Sequence, residues 1–297
     1  MKEKLISIII NCFNGEKYLS KTLDSILKQK YQKYEVIFVD NCSTDKSSKI
    51  YKKIKDKRFK YFKTPQKLKL YASRNFAIKR AKGDFVAFLD ADDWWHKNFL
   101  ISRKKFFLSN KKFGFSFSNC FHYYENVRKF KAFTNKKLPS GYILDDLLKD
   151  YFVKLSTIIF KRKLLKNYKF NPLYNIIGDY DFIIKISKKF KGMGFQEKLV
   201  YIRIHRFNFS NNNRKMFYKE FKYWIDTQNY DYHYLNKNKI YLLQRLEYLR
   251  LIYLLLEDKN HSLLIDILKF PQFLYKLKLL MIFFIPNFLI RLKVKYF

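Results

Sequence analysis

Three carboxylates fall within four residues at Asp90-Ala91-Asp92-Asp93, directly after the apolar segment 85–89. Carboxylates this close repel one another unless a cation or a hydrogen-bond donor stands between them. A hard divalent ion, Mg²⁺ or Mn²⁺, typically takes one or two carboxylates and completes its shell with substrate phosphates. Helix capping is the alternative, with Asp92 or Asp93 opening a helix that runs from Trp94. An EF-hand calcium loop does not fit, because its sixth position lacks the required Gly.

Three further groups could do chemistry. Asp40-Asn41-Cys42-Ser43-Thr44-Asp45 follows an apolar run, where an acidic residue often takes a ribose hydroxyl or a base edge; an Asx turn entering a helix is the alternative. Gly178-Asp179-Tyr180-Asp181 places acidic residues just before a helix, where a cap is the usual role. Arg203-Ile204-His205-Arg206-Phe207-Asn208 pairs Arg with His, which suits a diphosphate, and His can also ligate a metal; a basic strand end on a basic protein is the alternative. No GxGxxG follows the first apolar run, and no Walker A motif is present.

The elements that must position these groups read as an alternation. Residues 5–10, 35–39, 59–62 and 85–89 are short apolar or half-apolar runs that predict strands. Between them, apolar positions 18, 19, 22, 23, 26 and 27 mark one helix face, Ser43 and Thr44 can cap a helix to about residue 54, and 72–81 reads as a helix closed by Gly83. The near-continuous apolar run 5–10 fits a strand buried on both sides, as in a parallel sheet. Through residue 90 the pattern is β-α-β-α-β-α-β, a doubly wound α/β sheet whose ligands sit beyond the carboxyl ends of the strands. Asn11 and Asn14, Asp40 and Asn41, and Asp90 to Asp93 collect there. Residues 113–118, 122–125, 155–160 and 199–204 predict further strands, and 181–190 a helix. From about Met216 the pattern is helical to the end.

Composition limits the function classes. The chain has 297 residues, 48% of them hydrophobic, and a net charge of +37 from 62 Lys+Arg against 25 Asp+Glu. This charge favours anionic partners, although abundant Lys, Asn, Ile, Phe and Tyr equally suit an AT-rich genome. Cys12, Cys42 and Cys120 show no paired or zinc-type spacing, which argues for a reducing compartment. The first apolar run is too short for a signal peptide.

The order of the motifs resembles that of family 2 glycosyltransferases over roughly residues 5 to 210. Ser7-Ile8-Ile9-Ile10-Asn11-Cys12-Phe13-Asn14 with Tyr18-Leu19 and Leu23-Asp24-Ser25-Ile26 resembles their opening. Val39-Asp40-Asn41-Cys42-Ser43-Thr44-Asp45 resembles the nucleotide motif, and Ser73-Arg74-Asn75 through Gly83-Asp84 to Asp90-Ala91-Asp92-Asp93 the approach to their DxD motif. Gly178-Asp179-Tyr180-Asp181 resembles the acidic base motif, and Tyr201-Arg203-His205-Asn208-Ser210 the basic motif after it. The resemblance implies a GT-A fold, a nucleotide-sugar donor, a divalent metal (Mn²⁺ or Mg²⁺) and an inverting transfer. It assigns Asn14, Asp40, Asn41, Arg74, Asp90 and His205 to the donor, Asp92 with Asp90 and His205 to the metal, and Asp179 to the general base. Two positions depart from the pattern: Asn41 stands where many members carry a second Asp, and Gly178 where Glu usually precedes the Asp.

The expected organisation is a catalytic domain over 1–212 and a helical, basic, aromatic-rich region over 213–297. From Ile267 to Phe297 there is no Asp or Glu, while Lys269, Lys276, Lys278, Arg291, Lys293 and Lys295 lie among Leu, Ile and Phe. The apolar run 279–285, broken by Pro286 and Asn287, falls short of the ~20 residues that span a bilayer. An interfacial helix on an anionic membrane surface is one expectation, which would suit a glycan or lipid-linked acceptor of cell-envelope polysaccharide at the cytoplasmic face; helices covering the catalytic domain or a dimer seam are the other. Two competing functions are a nucleic-acid-binding protein and a sugar nucleotidyltransferase. The first lacks any RRM, KH, zinc-finger or helix-turn-helix signature, so no nucleic-acid partner is expected. The second usually carries a Gly-rich basic loop after the first strand, where this chain has residues 11–15.

Overall fold

The computed structural model describes residues 4–228, 233–257 and 261–285. Twelve strands are formed among them: β1 (Ile6–Cys12), β2 (Tyr34–Asp40), β3 (Phe59–Lys63), β4 (Phe85–Phe88), β5 (Trp94–Trp95), β6 (Phe113–Ser118), β7 (Phe121–Tyr124), β8 (Lys129–Ala132), β9 (Ser140–Gly141), β10 (Ile159–Lys161), β11 (Lys191–Phe195) and β12 (Val200–Ile204). Eight make one sheet in the order β3-β2-β1-β4-β10-β6-β11-β9, and four make a second in the order β5-β12-β7-β8. The first four strands of the large sheet run parallel, β10 enters antiparallel beside β4, and the sheet is therefore mixed.

The parallel half follows from the sequence. Ile6, Ile8, Ile9 and Ile10 are all buried, as is every residue of β2, because helices cover both sheet faces. The helices α1 (Leu19–Leu27), α2 (Ser47–Lys52) and α3 (Leu70–Ile78) are the crossovers. At the edge, β3 carries Lys60 and Lys63 among its aromatics and is only half-buried, a composition that discourages further strand pairing. Glu35 is a charged residue in the core of β2, and its carboxylate has three donors: Ser7 Oγ at 2.7 Å, the Lys82 N–H at 2.7 Å and Lys60 Nζ at 2.6 Å. These bonds hold the carboxyl below the ordinary carboxylate range against the opposing effect of burial.

The chain divides into two compact units, Met1–Leu147 with Tyr151–Arg203, and Leu148–Asp150 with Ile204–Phe297. The remaining helices are α4 (Phe99–Ser109), α5 (Leu144–Lys149), α6 (Arg162–Asn167), α7 (Gly178–Ser187), α8 (Phe209–Asn212), α9 (Arg214–Asp226), α10 (His233–Glu257), α11 (His261–Lys269) and α12 (Phe273–Phe284). In the second unit Leu251, Ile252 and Leu255 of α10 pack with Leu263 and Ile267 of α11 and Leu279 and Ile282 of α12. Among the described residues no helix is long and apolar enough to cross a membrane. Arg291, Lys293 and Lys295, with Pro286 and Asn287, lie outside the described residues.

One alternative is set aside and one expectation is corrected. No helix starts at Trp94: Trp94 and Trp95 form β5 and pair with Tyr201 and Val200 of β12, and α4 begins only at Phe99. The Trp94 ring lies flat on Tyr201, with centroids 5.2 Å apart, which favours the extended backbone over a helical turn. Residues 155–160 do not form one strand. Leu155–Thr157 is a 3₁₀ turn, and pairing begins at Ile159. The turn is fixed because Trp95 Nε1 donates to the Ser156 carbonyl (2.8 Å) and Ser156 Oγ to Asp93 (2.6 Å).

Candidate active site

The strand ends of the first unit carry the polar residues. Asn14, just beyond β1, adopts a left-handed backbone (φ 52°), which Asn tolerates better than most residues. Its Oδ1 accepts the Thr44 N–H at 2.8 Å, and its own N–H donates to Ser43 Oγ at 3.1 Å, so the loops after β1 and β2 are laced together. Asp40 closes β2 and is buried. Its Oδ1 accepts the Ser43 N–H (2.8 Å) and its Oδ2 the Tyr61 hydroxyl (2.6 Å). The Asn41 amide faces the loop beyond β3: Nδ2 donates to the Leu68 carbonyl (2.8 Å), and Oδ1 accepts from Leu68 N–H (2.9 Å) and Thr64 Oγ1 (3.1 Å).

The acidic run after β4 is built asymmetrically. Asp93 is buried, with the Arg203 N–H on Oδ1 (3.0 Å) and Ser156 Oγ on Oδ2. Burial, then the charges of Asp92 and Asp90, push its carboxyl well above the usual range. Asp90 is half-exposed and pairs with Arg74 at 2.7 Å; its N–H donates to Ser156 Oγ at 3.2 Å. Asp92 is also half-exposed, and its carbonyl accepts Arg203 Nε at 3.1 Å. Arg203 itself lies over the rings of Tyr18 and Trp94, 4.5 and 4.9 Å from their centroids. Among the described residues no three His, Cys, Asp or Glu side chains converge as a metal cage. The site thus offers one or two carboxylates of the kind that bind an ion together with phosphate oxygens.

Asp179 stands in the first turn of α7, on the same cluster. Its Oδ1 accepts the Tyr180 N–H (2.8 Å) and the hydroxyl of Tyr71 (3.2 Å). The buried Arg74 guanidinium interacts electrostatically with both Asp90 and Asp179. Burial raises the Asp179 carboxyl above its ordinary value, opposed by Arg74 and by its hydrogen bonds. Asp181 is different: it is buried, and its Oδ2 holds Lys185 at 2.7 Å, one turn along α7. Of the anticipated residues, Arg74, Asp90 and Asp179 therefore meet in one electrostatic cluster. Asp92 and Asp93 are tied together through Arg203, and Asn14, Asp40 and Asn41 form a separate laced group. His205 belongs to the second unit, where its N–H donates to Asn208 Oδ1 (2.6 Å) and its Nδ1 accepts the Phe207 N–H (3.2 Å).

Sequence reasoning missed Tyr71, which contacts Asp179 across 108 positions, and Ser156, which bridges the Asp90 N–H and the Asp93 carboxylate. No spacing signal connects residues so far apart. Trp94 and Trp95, directly after the acidic run, line a cleft of about 1090 Å³ with Lys21, Phe130 and Tyr201, and none of the run's carboxylates lines it.

Residues 7–169 match the family described as Glycosyl transferase family 2. The chain is 34% identical over 214 residues to the UDP-Glc:alpha-D-GlcNAc-diphosphoundecaprenol beta-1,3-glucosyltransferase WfaP of Escherichia coli, covering 71% of this chain and 82% of that protein. Its fold is similar to that of S. aureus TarS 1-349 in complex with UDP (TM-score 0.64, 21% identity, 88% of this chain and 78% of that one). It is also similar to the mannosyltransferase PcManGT from Pyrobaculum calidifontis in complex with GDP-Man and Mn²⁺ (TM-score 0.61, 14% identity, 98% and 84%). With more than half of its length in the match, the chain belongs to glycosyl transferase family 2 and is a glycosyltransferase that uses a nucleotide-sugar donor.

Proposed function

We propose that the chain is an inverting hexosyltransferase that passes a sugar from a nucleoside diphosphate to a hydroxyl of a lipid-linked glycan during cell-envelope polysaccharide synthesis. The observation that carries this reading is the Asp90–Arg74–Asp179 cluster: an acidic strand end and a half-buried carboxylate from a distant helix share one guanidinium. The name of WfaP, with its diphosphoundecaprenol acceptor, supports the acceptor class.

Asp179 is assigned as the general base. The acceptor oxygen attacks the anomeric carbon, its proton passes to an Asp179 oxygen, and the bond between that carbon and the diphosphate breaks with its electrons leaving on the nucleotide. Attack opposite the leaving group inverts the centre. A positioned base typically contributes about 10²- to 10⁴-fold. Asp40 and Asn14 are assigned to the nucleoside side of the donor, and Asn41 to the loop that frames it.

Asp92, with Asp90, would hold a divalent ion. The fit rests on Asp90 and Asp92, two half-exposed carboxylates at the end of β4 beside the buried Asp93. The Mn²⁺ in the PcManGT complex supports this choice of ion. When bound, the ion offsets charge on the departing diphosphate. His205 Nδ1 accepts the Phe207 N–H. His205 is assigned to the diphosphate or to the ion, the two roles an imidazole can fill.

The test is a thermal-shift panel of nucleoside diphosphates with and without Mn²⁺, on the wild type and on Asp92→Asn. One nucleotide should raise Tm in a metal-dependent way that the variant abolishes. No metal-dependent shift with any nucleotide would sink the donor-site assignment.

A further inference from the structure

The most exposed apolar surface of the second unit lies on α12. A helix that is apolar nearly all round is normally buried nearly all round. Here only Leu279 and Ile282 are buried, against α10 and α11. Phe273, Leu274 and Phe284 stay 73%, 77% and 71% exposed, and Leu277 and Met281 are about half exposed. Phe273, Leu277, Met281 and Phe284 recur at intervals of four, four and three residues, so they form one stripe. Scattered exposed apolar residues need no explanation, but a continuous stripe with aromatic ends marks an interaction surface.

Two features identify the occupant. The first is charge. Lys269 stands exposed just before this helix and Lys276 lies within it, and the sequence from Ile267 onward contains no Asp or Glu. A symmetric pairing of this stripe with a second copy would bring identical positive residues together. An anionic surface would meet them favourably, and long Lys side chains can keep their ammonium groups in water while their stems cover apolar surface. The second is length. Twelve residues of helix span about 18 Å, short of the roughly 30 Å hydrocarbon core, so the helix can lie in the interface and cannot cross it.

We propose that the Phe273–Leu277–Met281–Phe284 stripe of α12, flanked by Lys269 and Lys276, is the face by which the protein docks on an anionic lipid bilayer. The apolar side chains enter the boundary between headgroups and acyl chains, and the lysines lie at the headgroups. Each lysine near such a surface is worth about fivefold in partitioning, an effect that salt screens. The inference goes beyond the donor-site reading and does not depend on it.

The experiment is co-sedimentation of the full chain with vesicles of equal parts phosphatidylglycerol and phosphatidylcholine, and with phosphatidylcholine alone. Wild type should pellet with the anionic vesicles and release at high salt. Phe273→Ser/Phe284→Ser should lose most of that binding, and Lys276→Glu should lose about tenfold, with unchanged circular dichroism and unchanged Mn²⁺-dependent nucleotide thermal shifts. Both positions are exposed, so the fold tolerates these changes. Failure of the wild type to bind, or equal binding by the double variant, would overturn the proposal. So would a wild-type dimer that the double variant converts to monomer without any vesicle binding, which would make the stripe a dimer seam.

Discussion

The ring of Tyr71 fills the space in which a side chain at position 178 would stand. A Cβ on Gly178 would lie 2.4 Å from the Cδ2 atom of Tyr71, inside any real contact distance. The same tyrosine donates its hydroxyl towards Ile176 O (2.8 Å) and Asp179 Oδ1 (3.2 Å). Gly178 is thus coupled to a large residue 107 positions earlier: an aromatic ring from α3 occupies the space where its side chain would stand.

Gly178→Ala should therefore be costly although Ala favours helices. Tyr71 is buried and stacks near Phe170, so it has little room to retreat. Overpacking of this kind typically costs about 1–3 kcal/mol. Thermal unfolding should show a lower Tm, and kcat should fall because the start of α7 shifts with Asp179. A variant as stable and active as wild type would mean that the ring does not occupy this space.

Tyr71→Phe keeps the ring and removes one donor. The Tyr71 hydroxyl favours the charged form of Asp179, whose carboxyl burial has already raised. The sign follows directly: a base works only when deprotonated, so activity falls as pH drops through its pKa. Losing a donor to the carboxylate raises that pKa further. The acid limb of kcat/KM should move to higher pH while activity on the plateau stays within a few-fold. A pH profile superimposable on that of wild type would remove Tyr71 from any influence on the base.

Asn41 illustrates a role hidden from the sequence. Its amide donates to the Leu68 carbonyl and accepts from the Leu68 N–H, closing the loop beyond β3. Asn41→Asp replaces that donor with an anion facing a carbonyl oxygen. A buried unsatisfied carbonyl costs about 1–3 kcal/mol. The variant should melt earlier and bind nucleotide more weakly; an unchanged Tm would show that the loop does not depend on this amide.

The parallel half of the sheet was readable because its cause is local. The apolar runs of β1, β2 and β4 end abruptly at Asn11, Asp40 and Asp90, and a doubly wound sheet places those ends together. The alternative of a helix from Trp94 could not be decided from the sequence, because the outcome depended on β12, more than a hundred residues later. For the same reason Ser156 and Tyr71 carried no signal. Each acts only through a partner that the folded chain brings to it. The choice of Asp179 over Asp181 came from the motif, and the two carboxylates, both in one helical turn, have different partners in the fold.

That choice gives the sharpest comparison. Asp181 is buried with its carboxylate on Lys185, itself half-exposed, whereas Asp179 shares Arg74 with Asp90. Asp179→Asn keeps the size of the side chain and its acceptor oxygen but cannot take a proton. Transfer should fall by about 10²- to 10⁴-fold while the metal-dependent nucleotide thermal shift remains. Asp181→Asn removes a buried charge partner of Lys185, and should lower Tm while changing turnover by no more than a few-fold. If Asp181→Asn abolished transfer and Asp179→Asn left it intact, the base would have to be reassigned to Asp181, and the Arg74 cluster would be left with binding the donor alone.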